Sequence, residues 1–204
     1  MLSQDLSNRI SHAKSKFPNL KLCLYGHSMG GLIATKSVTE GTSVDCLILE
    51  SAAIQLHPDA AKPHIVLAAK ILAKILPSLK VGKAKNSDLS RNSDVCQAKE
   101  ALSSDFGDNG GATARTAVAM INAQRKVRPK LNKITCPTFI ATGSDDRMAD
   151  PNGSTLAASA IQISTLKVYD GAYHVLHDEL VETTAEFLHD LEDFLQKNGF
   201  CSSE

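Results

Sequence analysis

Residues 20–31 read Leu20-Lys21-Leu22-Cys23-Leu24-Tyr25-Gly26-His27-Ser28-Met29-Gly30-Gly31. The first six are almost all apolar and the run stops at glycine. That is the pattern of a short strand buried on both faces of a parallel sheet. Leu32-Ile33-Ala34-Thr35-Lys36 then opens a helix. A strand, a tight turn and a helix around G-x-S-x-G form a nucleophile elbow. Ser28 occupies the tip, in a strained backbone conformation with its Oγ exposed. Side chains two residues before and two after it would collide across the turn, which assigns Gly26 and Gly30 to those places. Gly31 lets the new helix approach the sheet. The backbone N–H of Met29, at the start of the helix, can donate to a developing oxyanion.

Outward from the elbow, the chain alternates. Leu2, Leu6, Ile10, Ala13 and Phe17 share one helical face, and Pro18-Asn19 ends that helix. Residues 45–51 (DCLILES) form a second buried strand, so strand, helix and strand follow in the order of a parallel α/β sheet. From about Ile54 to Lys133 the alternation stops and a mostly helical insertion takes its place. Within it, residues 65–76 (IVLAAKILAKIL) are apolar almost all round, broken by Lys70 and Lys74. Such a helix is either a core helix or one whose apolar face meets lipid or lines an acyl tunnel, with its lysines at the headgroups. Residues 82–93 read as a polar loop, Ser93-Asp94 caps a short helix to Leu102, residues 107–111 are a glycine-rich break, and a further helix covers residues 113–126. Strand character returns at residues 136–142 (CPTFIAT). A short helix over residues 155–161, a last strand over 165–169 and a helix over 179–198 complete the chain. Leu180, Thr184, Phe187, Leu188, Leu191, Phe194 and Leu195 form the inner stripe of that helix, and Gly199 its cap.

Composition narrows the function. The chain has 204 residues, with 22 basic against 22 acidic side chains, so it lacks the electrostatic footprint of a nucleic-acid binder. The five cysteines (Cys23, Cys46, Cys96, Cys136, Cys201) are scattered, without C-x-x-C spacing. They read as free thiols in a reducing compartment. The first ten residues are too polar for a signal peptide and no apolar run spans a bilayer. The expected location is cytoplasmic or peripheral on membranes.

A serine hydroxyl is a weak nucleophile until a base takes its proton, and the base needs an acid to hold its tautomer. In an α/β-hydrolase the chain order is serine, acid, histidine, each in a loop at the C-terminal end of a strand. Ser28 follows the first strand, Asp145 and Asp146 follow the strand ending at Gly143, and His174 follows the last. Spacing alone leaves the two aspartates equivalent. His174, His177 and Asp178 form an H-x-x-H-D pattern, but no third metal ligand is apparent and neither metal nor cofactor is expected. His12, His57, His64 and His189 read as surface residues, and His27 as a local hydrogen-bonding support.

GHSMGG at residues 26–31, GSDDR at 143–147 and GAYHVLH at 171–177 resemble the monoacylglycerol lipase family, as do LAAKILAKILP at 67–77 and LSRN at 89–92. The resemblance runs over nearly the whole chain. It implies Ser28 as nucleophile, Asp146, the third residue after Gly143, as triad acid, His174 as base and Met29 as one oxyanion N–H. It implies a lipid ester as substrate, split to fatty acid and glycerol through an acyl-enzyme. Residues 54–133 correspond to the family's cap, which adds weight to a lipid-facing helix at 65–76 and to peripheral membrane contact. Related chemistries compatible with the same residues are those of a lysophospholipase or a general carboxylesterase. The expected architecture is the C-terminal part of one α/β-hydrolase domain, with about four parallel strands and flanking helices over residues 1–204. A fuller member of the family carries further strands and an H-G-x-G-type loop that supplies a second oxyanion donor; no H-G-x-G occurs here. The resemblance therefore implies an N-terminally truncated form, with the elbow strand at a sheet edge. A missing oxyanion donor costs about 100- to 1,000-fold in turnover, so a catalytically inactive form is the alternative expectation.

Overall fold

The computed structural model describes residues 2–81, 85–105 and 111–200. The break expected at 107–111 lies outside them except for Gly111, as do Cys201 and the start of the expected loop at 82–93. The chain runs α1 (Leu2–Lys16), β1 (Cys23–His27), α2 (Met29–Thr39), β2 (Cys46–Glu50), α3 (Pro63–Ile75), β3 (Lys80–Val81), α4 (Ser93–Asp105), β4 (Ala112–Thr113) and α5 (Ala114–Val127). It closes with β5 (Thr138–Gly143), α6 (Pro151–Ala160), β6 (Ser164–Tyr169) and α7 (Val181–Lys197).

The main sheet has four parallel strands in the order β1-β2-β5-β6, with β1 at one edge. His27 stands opposite Glu50, and Gly143 opposite Tyr169, so the ends of all four strands meet along one edge. Every residue of β2 and β5 is buried, which is why both read as continuous apolar runs. Successive strand side chains point to opposite faces. Leu47, Leu49 and Ile140 pack with Leu32 and Ala34 of α2 on one face. Cys46, Ile48, Phe139 and Ala141 pack with Phe187 and Phe194 of α7 on the other.

The segment between β2 and β5 is mostly helical, and its last residues pack into the sheet core. Val127, Leu131 and Ile134, at and after the end of α5, belong to the main core, and α5 packs on both α2 and α3. An antiparallel ladder joins β3 to β4, two residues each and too short to leave a periodic signal. Helix α3 is no core helix: Val66 is its buried residue, while Leu67, Ile71 and Ile75 are 59%, 49% and 69% exposed. Asn92 caps α4 in place of Ser93-Asp94, its Oδ1 accepting from the N–H groups of Asp94 (3.1 Å) and Val95 (3.4 Å). Helix α6 starts earlier than expected because Asp150 caps it and Pro151 fits its first turn. On the expected face of the first helix Ile10 is buried, but Leu2 is exposed, and so is Phe17, just past the end of α1. In the C-terminal stretch, Phe187, Leu191, Phe194 and Leu195 face inward, whereas Leu180 and Leu188 are exposed. Among the described residues, no helix is long and apolar enough to cross a membrane.

Candidate active site

Ser28 lies between β1 and α2 with φ 52° and ψ −120°, a left-handed conformation that costs a non-glycine residue about 1–3 kcal/mol. Its neighbours hold it there. Its N–H donates to the carbonyl of Glu50 (3.0 Å), and its own carbonyl accepts from Leu32 (3.2 Å) and Ala53 (3.0 Å). A Cβ on Gly26 would stand 2.7 Å from the Cα of Gly31, and one on Gly31 would stand 2.5 Å from the Cβ of Ala52. Gly30 does not share this constraint, since a Cβ there would meet nothing within 4 Å. The expected collision across the turn thus falls on Gly26 and Gly31, because the first turn of α2 rotates residue 30 away from β1. Met29 opens α2, where the first N–H groups have no acceptor inside the helix.

The loops that carry Asp146 and His174 leave β5 and β6 side by side. A side chain on Gly143 would collide with the carbonyl oxygens of Ala172 and Tyr173, and Asp145 N–H donates to Ala172 O (3.0 Å). Asp146 and His174 are both buried, with Asp146 Oδ2 2.8 Å from His174 Nδ1. A carboxylate accepts, so Nδ1 carries the proton and Nε2 is left with its lone pair. Asp146 is itself held, because its Oδ1 accepts from the N–H groups of Met148 (2.8 Å) and Ala149 (3.0 Å). Asp145 is exposed.

His27 donates its Nε2–H to the carbonyl of His174 (3.2 Å), and its ring centroid lies 4.8 Å from that of His174. Burial and then the neighbouring His174 push the His27 pKa down to about 4, so its ring is neutral near pH 7. His177 stands in a short 3₁₀ turn ahead of α7, not at the start of that helix, and its ring meets His27 edge-on at 5.5 Å.

Sequence reading missed three residues here. Glu50, fully buried at the end of β2, accepts from the N–H groups of Leu176 (2.8 Å) and His177 (3.3 Å), from His177 Nδ1 and from the Tyr25 hydroxyl. Glu179, also buried, accepts from the N–H of Tyr173 (2.9 Å) and pairs with Arg91 (2.9 Å), joining the 89–92 segment to the histidine loop. Ser51 has φ 45° and a buried Oγ without a hydrogen-bond partner. Glu50 had a signal: a charge closing an otherwise apolar strand. The other two had none.

Among the described residues no group of three or more His, Cys, Asp or Glu is placed to hold a metal ion. A cavity of about 490 Å³ lies between α3, α5 and the segment after β2, lined by Gln55, Val66, Ile121 and Gln124 among others. Gln124 Nε2 donates to Ala53 O (2.9 Å), so its floor is joined to the elbow backbone.

The family model for serine aminopeptidase, S33, matches residues 1–181. The chain belongs to the S33 family. This S33 chain is 35% identical over 191 residues to the monoglyceride lipase of Rattus norvegicus, covering 92% of this chain and 62% of the rat protein. It is 34% identical over 199 residues to the Homo sapiens monoglyceride lipase, covering 92% of this chain and 62% of that protein. The chain thus spans less than two thirds of the length of these curated relatives. Among solved structures, the Paleococcus ferrophilus monoacylglycerol lipase matches with a TM-score of 0.79 at 20% identity, covering 97% of this chain and 76% of that one. A soluble variant of monoglyceride lipase from Saccharomyces cerevisiae, in complex with a substrate analog, gives 0.77 at 22% identity, covering 97% and 68%. The strand order and these likenesses identify the S33 chain as part of an α/β-hydrolase fold.

Proposed function

We propose that this chain is a serine hydrolase acting on lipid esters, with monoacylglycerol as substrate and Ser28 as nucleophile. The observation that carries the reading is the buried Asp146–His174 pair, which leaves Nε2 of the imidazole as the base on the sheet edge where Ser28 is held strained. In the first half-reaction Ser28 Oγ attacks the ester carbonyl while His174 Nε2 takes its proton. Asp146 stabilises the imidazolium, and the N–H of Met29 donates to the oxyanion. Collapse expels glycerol, which takes the proton from His174. Water then repeats the sequence on the acyl-enzyme and releases the fatty acid. Gly26 and Gly31 serve by close packing, and no metal or cofactor takes part. Monoglyceride lipases among the relatives support the substrate class.

Lipid reaches the site across a membrane surface. The exposed apolar stripe of α3 at Leu67, Ile71 and Ile75, with Lys70 and Lys74 beside it, is the contact.

The test is labelling by a fluorophosphonate probe, followed by peptide mapping. Modification at Ser28 that disappears in Ser28→Ala is expected. Labelling that survives Ser28→Ala removes Ser28 from the mechanism. Labelling without monoacylglycerol turnover keeps the nucleophile and assigns the chain to the inactive alternative.

A further inference from the structure

Glu50 touches both halves of the site. The backbone carbonyl of Glu50 accepts from Ser28 N–H (3.0 Å), while its carboxylate accepts from the N–H groups of Leu176 and His177, two and three residues beyond His174. The same carboxylate receives His177 Nδ1 at 2.9 and 2.8 Å, and the Tyr25 hydroxyl. We infer that Glu50 is a positioning residue, whose buried carboxylate fixes the His174 loop at its working distance from Ser28.

The reasoning is geometric and rests on the serine-hydrolase reading. Asp146 sets the ring of His174 but leaves its main chain free to shift. Three other contacts restrain that main chain: Glu179 takes the N–H of Tyr173, Leu89 O takes that of Val175 (2.9 Å), and His27 holds the carbonyl of His174. Beside these contacts, Glu50 reaches the same loop from the strand next to the elbow, opposite His27 in register. Burying a carboxylate is costly unless donors surround it, and here backbone N–H groups, an imidazole and a phenol do so. Such a residue is conspicuous in a strand whose other side chains are apolar. The remaining charged groups that act on His177 are Asp178 beside it and Lys99 of α4, which bond to each other at 2.9 Å. His27 and Tyr25 face the cluster from β1, and Tyr169 from β6. Misplacing a catalytic group by about 1 Å costs on the order of 100-fold in rate.

Two substitutions separate positioning from bulk stability. Glu50→Gln keeps an oxygen for Leu176 N–H but loses the charge. Glu50→Leu roughly keeps the volume and removes every side-chain acceptor while leaving the backbone carbonyl that Ser28 uses. The measurements are the rate constant and apparent affinity of fluorophosphonate labelling, taken where circular dichroism shows each variant folded, together with the His177 imidazole titration by NMR. Glu50→Leu is expected to slow the labelling step about 10- to 100-fold with unchanged probe affinity. Glu50→Gln should restore most of that rate and lower the His177 titration midpoint. A folded Glu50→Leu that labels as fast as the parent overturns the inference. So does a His177 titration that Glu50→Gln leaves unmoved, a result available even if Glu50→Leu fails to fold. A parent chain that does not label at Ser28 refutes the hydrolase reading instead. In that case the backbone amide shifts of residues 174–177 in Glu50→Gln still report on the clamp, and unchanged shifts overturn it.

Discussion

Asp145 and Asp146 are chemically identical neighbours, and folding alone makes them different. The turn after β5 sends the first into solvent and the second under the imidazole of His174, where backbone donors at Met148 and Ala149 fix it. Removing the charge of Asp146 should therefore free the wrong tautomer of His174. Asp146→Asn is expected to reduce the fluorophosphonate labelling rate by about 10⁴-fold, by analogy with the triad template. Asp145→Asn, which loses an exposed carboxylate, should stay within a few-fold of the parent. Stopped-flow or gel-based labelling of the two variants side by side decides it; the reverse ranking moves the acid by one residue. The same scale shows where sequence reading stops. The elbow was legible from G-x-S-x-G, yet which glycines are sterically required depended on how α2 leaves the turn. The close approach at Gly31 is legible as helix-on-sheet packing, but its partner Ala52 is a tertiary contact that no spacing rule contains.

At the scale of elements, patterning located the main strands and helices because β2 and β5 are buried on both faces and read as continuous apolar runs. It erred where burial and apolarity part company. Phe187 and Leu188 are adjacent on α7, one buried and one half exposed, because successive helix positions turn by about 100° and one side of α7 packs on the sheet face. Helix α3 is the sharper case, since its composition alone fits either core or lipid. Its exposed residues at 67, 71 and 75 recur every four positions, one stripe along the helix. Each Ile moved from water into lipid contributes about 1.5–3 kcal/mol at full burial. The double substitution Ile71→Ser and Ile75→Ser should then weaken co-sedimentation with phosphatidylcholine vesicles by at least about tenfold. The melting temperature should barely change, because neither side chain is in the core. Undiminished vesicle binding by a folded double variant would remove α3 as the contact.

For the molecule as a whole, stability against pH follows from three groups around the site. His27 has its pKa lowered to about 4 from 6.5, so between those values the unfolded chain binds a proton that the native chain refuses. Stability must fall as pH drops through that window. Burial pushes the Glu179 carboxyl up, but donation from the N–H groups of Tyr173, Leu180 and Arg91 and from the Arg91 side chain outweighs it and holds the pKa below the usual value. Its contribution is present above about pH 4.5 and is lost below it. His177 acts in the opposite sense. The Glu50 carboxylate raises its pKa, so its contribution is complete below pH 6.5 and disappears as pH rises through the folded value. His177 is 41% exposed at its side chain, and solvent screening discounts it, whereas His27 is more enclosed. The acid limb should accordingly be the steeper one, with about 1–3 kcal/mol lost between pH 6.5 and 4.5 through His27. Replacing the ring with an amide that still donates to the His174 carbonyl, His27→Gln, should flatten that limb and leave the alkaline side unchanged. Thermal melts from pH 4.5 to 8 on both proteins make the comparison, and parallel curves would mean that His27 does not govern the acid response.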